Sequence, residues 1–306
     1  MDTLSDADNC GVCGHACLGG TCSAGACQPV LLGSGPKSAR LLTVDATNVY
    51  WSAGTSVLSV PIAGGAVTTR VSGPRVLSGV AVDATTLFWT ELNVPGMPGG
   101  KVRSEPLAGG APIDCVPDAF QSNFVLASAS SMFWTSTGAV LRANKDGSSP
   151  AKLAEQSGVV SIVMDDVNVY FSDDTGSLWS VPNSGGMVTE IASNLPDARG
   201  LAVDDTSVFF ADTTTNTINR VNKSGGGYAA LAASKGFPIA VAVDNDDIYW
   251  LDEGNNELRK VSKIEATLSY GELLASGLNG PVALALDATA VYWVQSDDGA
   301  VMKLAK

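Results

Sequence analysis

Five cysteines crowd into one short stretch near the start of the chain: Cys10, Cys13, Cys17, Cys22 and Cys27, with the only histidine, His15, among them. Thiols at this density support two chemistries. Oxidised, they staple a segment too poor in apolar residues to build a core of its own, each bridge contributing about 2–4 kcal/mol. Reduced, Cys10, Cys13, His15 and Cys17 are soft ligands for zinc, but no second Cys-x2-Cys pair follows at finger-like spacing, so disulfides are the favoured reading. Cys115, far along the chain, makes the total even. Three bridges are then expected, one of them tying the segment to the main body, although six cysteines allow fifteen pairings.

The rest of the chain offers mostly carboxylates and a few cations. Six aspartates recur in one context, Asp45, Asp83, Asp165, Asp204, Asp244 and Asp287. They read as turn residues, because an Asp side chain accepts hydrogen bonds from nearby backbone N–H groups, rather than as a cation-holding ring. A mixed set of charges falls in the intervening loops, and from it the candidate ligand-binding residues are Arg40, Arg75, Asp174, Arg199, Asp212, Asp252 and Asp298. Such a rim suits a polar ligand held by charge-assisted hydrogen bonds. No catalytic residue is assigned. With His15 confined to the cysteine-rich stretch, the main body lacks the usual general base, and Cys115 has no imidazole partner. No metal ligand or cofactor is assigned either; Ca2+ is the ion a carboxylate-based site would take.

These residues sit on a repeat. An apolar strand ends in Asp, three residues intervene, and a second strand carries two successive aromatics, as in Thr43-Val44-Asp45 to Tyr50-Trp51 and Ala242-Val243-Asp244 to Tyr249-Trp250. Seven copies occur, spaced 37 to 45 residues apart, the third degenerate with Ser128 for Asp but Phe133-Trp134 in register. That period is one four-stranded propeller blade. The aromatic pairs face opposite sides of their strand and so fill the cores on both sides of a blade. After the seventh anchor only Ala300-Val301-Met302-Lys303-Leu304 follows, so the fourth strand must come from Pro29–Gly35, which reads like the outer strands elsewhere. The expected fold is therefore all-β: a seven-bladed β-propeller over 29–306, closed by an N-terminal strand and preceded by a disulfide-rich segment over 1–28. Six blades is the alternative if the degenerate copy is an insertion.

Phe209-Phe210-Ala211-Asp212 with Ile218-Asn219-Arg220-Val221, and Tyr249-Trp250-Leu251-Asp252 with Leu258-Arg259, resemble the YWTD repeats of low-density-lipoprotein-receptor propellers. That family has six blades; the resemblance implies blade architecture rather than receptor function. Asn9-Cys10-Gly11-Val12-Cys13-Gly14-His15-Ala16-Cys17 resembles a cysteine-rich motif of bacterial secreted and envelope proteins, which implies an extracellular or envelope location. One further stretch, Ser172–Trp179, matches most of the sialidase Asp-box pattern, a turn motif without catalytic groups.

A formal charge of −13 argues against nucleic acid, and no apolar run is long enough to insert in a membrane. Met1-Asp2-Thr3-Leu4 shows no basic and apolar secretory leader. The expected function is a secreted or envelope binding or scaffold protein presenting one propeller face to a protein or glycan. The alternative is a hydrolase or lyase with a carboxylate- or calcium-based site in the central channel.

Overall fold

A computed structural model describes residues 2–93, 99–264 and 268–306. The Leu92–Gly100 interruption, singled out as the longest break in the repeat, falls largely outside these residues.

The described residues form seven four-stranded antiparallel sheets and one two-stranded hairpin, with no helix. Each sheet is one repeat. The first blade runs Ala39–Val44, Asn48–Ala53, Ser56–Pro61 and Thr68–Ser72 from the inside outward. The innermost strands of the second to seventh blades are Leu77–Val82, Val125–Ala127, Val159–Met164, Ala198–Val203, Pro238–Val243 and Pro281–Leu286. The degenerate third copy is a full blade, so the count is seven. In the seventh, Val30–Ser34 lies antiparallel against Ala300–Ala305 and closes the ring with the N-terminal strand, as its sequence predicts.

Seven apolar clusters hold the ring, one at each junction between neighbouring blades. The aromatic pairs build them. The first member of each pair packs toward the following blade and the second toward the preceding one: Tyr249 meets Val291 and Leu304, whereas Trp250 joins Phe209 and Ile218. This is the two-sided packing that alternation along a strand requires. In every blade the pairing of third and outermost strands shifts register at an equivalent point, for example between Val57 and Leu58 or Ile218 and Asn219. Such a bulge twists an exposed edge away from pairing with another sheet.

Cys10–Cys22 and Cys17–Cys27 are disulfides around the Cys22–Ser23/Ala26–Cys27 hairpin. The expectation of three bridges is corrected: Cys13 and Cys115 are free thiols. Cys115 cannot reach the segment because it is buried between the second and third blades, its Sγ 3.2 Å from Ser104 Oγ and 3.3 Å from the Lys145 carbonyl oxygen. Burial pushes that thiol up. Zinc ligation by Cys10 and Cys17 is likewise displaced by disulfide bonding. His15 instead ties the segment to the ring, with Nδ1 2.8 Å from the Cys10 carbonyl oxygen and Nε2 2.6 Å from that of Lys306.

Candidate functional site at the loop face

The two faces of the ring differ in what their polar groups do. One face carries the turns between first and second strands, where the six repeated aspartates lie. In each, Oδ1 accepts the N–H groups two and three residues on, as Asp165 does from Val167 and Asn168 at 2.8 and 2.7 Å. Ser128 keeps one such bond, from Ser131 N–H. The second oxygen turns inward: Tyr50, Tyr170 and Tyr292 donate their hydroxyls to Asp45, Asp165 and Asp287. Burial and these carboxylates push Tyr50 up to about 12.

Four of the aspartates are also paired with a lysine from the next blade. Lys145, Lys223, Lys263 and Lys306 reach Asp83, Asp165, Asp204 and Asp244 at 2.5, 2.7, 2.6 and 2.9 Å. Lys263 also lies 5.1 Å from the centre of the Phe209 ring. Where Ser128 replaces the aspartate, the equivalent position of the next blade is Asn183, so the pair is lost from both sides together. These four aspartates are therefore fasteners between blades, whereas Asp45 and Asp287 hold their own blade's turn and tyrosine.

The opposite face carries the loops between second and third strands and the loops linking successive blades. Here the structure divides the sequence-derived candidates. Asp212 and Asp252 are fully buried and Arg75 is 6% exposed. Asp252 accepts Ser234 Oγ–H and Gly236 N–H through Oδ2, and Asn255 N–H through Oδ1. Asp212 Oδ1 accepts the N–H groups of Thr214 and Thr215. Arg75 pairs with Glu91 at 3.5 Å and donates to the Leu92 carbonyl. These three candidates are thus buried and bonded to the loops from inside, where the sequence predicts an open rim. Asp173, inside the Asp-box-like stretch, is similar, with Oδ1 accepting Thr175 and Ser177 N–H and Oδ2 accepting Trp179 Nε1–H.

Arg40, Asp174, Arg199 and Asp298 are exposed. The two arginines occupy the same position, five residues before the repeated aspartate, on innermost strands of the first and fifth blades. Three blades apart in a ring of seven, they stand on roughly opposite sides of the axis. Arg199 Nε is 2.8 Å from Asp197, while Asp298 accepts from Asn279 Nδ2 and Ala300 N–H. Sequence reasoning missed two aromatics of this face, Phe120 and Phe237, which are 54% and 58% exposed. Their carbonyls fix them there, accepting from Thr137 and Glu253 in adjacent second-to-third-strand loops. Both fall outside the repeated aromatic pairs, which was the signal that they are not core.

Down the axis runs a cavity of about 360 Å3 whose lining includes Leu41, Val80, Leu126, Ile162, Val241 and Leu284, with Arg199 at its loop-face end. No ionisable pair capable of nucleophile and base chemistry converges on it among the described residues.

The class this geometry defines is the closed β-propeller. Neither a family model nor a curated protein matches the sequence. Solved structures are similar in fold: a virginiamycin B lyase from Staphylococcus aureus, 16% identical over 91% of this chain and 98% of that one, TM-score 0.74; the WD40 propeller domain of Doa1, 15% identical over 91% and 96%, TM-score 0.74; and a nidogen/laminin complex, 19% identical over 72% and 91%, TM-score 0.59. At these identities the likeness is one of architecture alone.

Proposed function

We propose that the chain is a non-enzymatic binding module of an extracellular or cell-envelope compartment that presents its loop face to a protein partner. The observation that carries this reading is the pairing, on one face, of solvent-exposed Phe120 and Phe237 with exposed Arg40 and Arg199. Aromatic and arginine side chains are the residue types that anchor protein interfaces, and on the opposite face four of the six repeated aspartates are engaged between blades. The two disulfides fit an oxidising compartment. Channel chemistry of the hydrolase or lyase kind finds less support, because the one histidine is held between two carbonyl oxygens at the N-terminal segment.

The test is affinity capture from the secreted and envelope fractions of the source cells, comparing the wild-type chain with Phe120→Ser/Phe237→Ser and with Val167→Ser on the opposite face. A partner retained by wild type and Val167→Ser but lost by the double variant supports the reading. Equal recovery by all three, or loss only with Val167→Ser, overturns it.

A further inference from the structure

We propose that the axial channel is a second binding site, for a small amphipathic anion whose apolar tail lies along the axis and whose carboxylate or sulfonate sits at the Arg199 end. The site goes beyond the protein-partner reading and does not depend on it.

The channel wall is made by the innermost strands of all seven blades. Its side chains are overwhelmingly aliphatic, with Phe124 near one end. The lining hydroxyl, Ser161 Oγ, is already used, accepting Leu201 N–H at 3.1 Å across to the next blade. Removing the aliphatic part of this wall from water by seating an apolar tail against it is favourable. The volume, about 360 Å3, falls in the range of small-molecule sites, which are typically apolar walls with a few oriented polar groups.

The ends of the tube set the ligand's charge and direction. Arg199 is the one charged side chain among the described lining residues, in a chain whose net charge is −13. Asp197 engages its Nε, fixing the guanidinium beside the mouth. Arg40 occupies the equivalent strand position across the ring. At the far end the strands run into the aspartate turns; four of these carboxylates are neutralised by lysines, while Asp45 and Asp287, held by backbone N–H groups and tyrosine hydroxyls, keep their charge and disfavour an anionic head group there. At the position five residues before each turn, the lining residues are Val160, Arg199, Ile239 and Val282, so the guanidinium stands between apolar neighbours.

Decanoate, with decanol as its uncharged counterpart, is titrated into the full chain by calorimetry and by displacement of 1-anilinonaphthalene-8-sulfonate. One saturable decanoate site is expected. Arg199→Met should weaken decanoate about tenfold, the loss of one charge-assisted contact, and leave decanol unchanged. Val160→Trp, which fills the channel from its wall, should abolish both. If its thermal melt shows that variant unfolded, Ile239→Trp at the same ring position replaces it. Absence of saturable decanoate binding, binding that survives a folded channel-filling variant, or an Arg199→Met effect equal on decanoate and decanol overturns the proposal. Phe120→Ser/Phe237→Ser should bind decanoate as wild type does: Arg199 serves both surfaces, but these two aromatics belong to the protein-binding face alone, so failure of one reading is distinguishable from failure of the other.

Discussion

Asp204 shows how much one repeated residue does. Its Oδ1 holds the turn by accepting Thr206 and Ser207 N–H, and its Oδ2 takes Lys263 from the next blade at 2.6 Å. Asp204→Asn keeps an oxygen for the turn and removes the charge from the lysine. Both groups are largely shielded, so the expected loss is about 1–2 kcal/mol, above the value of an exposed pair. Urea unfolding measures it, and the double variant with Lys263→Met gives the coupling: a cycle energy near zero would mean the ion pair contributes nothing. The turn role of these aspartates was readable in sequence because it is local. The lysine partner was not, since it lies on another blade, and only the common place of Lys145, Lys223, Lys263 and Lys306 after the third strand hints at it. The same limit separated rim residues wrongly grouped. Asp252 and Asp298 fall in one candidate rim by sequence, yet the first, at the end of its strand, is fully buried and the second, inside its loop, is exposed.

At the scale of elements, the closing strand carries the most consequence. Val30–Ser34 covers the edge of Ala300–Ala305, and Leu32 enters the core between the seventh and first blades with Trp51 and Tyr292. Removing residues 2–28 deletes the disulfide hairpin and the His15 contact but leaves that strand; the propeller should stay folded and monodisperse with a lower melting temperature. Extending the deletion through residue 34 opens a strand edge and unseats one junction, so aggregation on size-exclusion chromatography is expected. Equal behaviour of the two truncations would show that the ring does not need its N-terminal strand. The closure was legible because the last repeat supplies only three strands and a spare one precedes the first. The bridges were less so: cysteine count constrains pairing weakly, and Cys115 was excluded only by its position inside the core between the second and third blades.

For the whole molecule, the aspartate ring sets the response to acid. Burial opposes ionisation at Asp45, Asp83, Asp165, Asp204, Asp244 and Asp287, but backbone N–H groups, and for four of them the neighbouring lysine, outweigh it and hold all six carboxyls below the usual range. A carboxyl with a lower pKa folded than unfolded adds stability above its unfolded value, about 3.9, and loses it as pH falls through the folded value. The net charge of −13 acts in the opposite sense, since moving from pH 7 toward the isoelectric point near 4.4 relieves self-repulsion. Stability should therefore hold or rise slightly between pH 7 and about 5, then fall steeply below about 4 as the six sites take up protons together. Urea midpoints measured across this range test it. Asp204→Asn combined with Asp244→Asn removes two of the six linked protons and should flatten the acid limb while leaving the region above pH 5 parallel to wild type. An unchanged acid slope in that variant would assign the acid transition to carboxyls outside the ring.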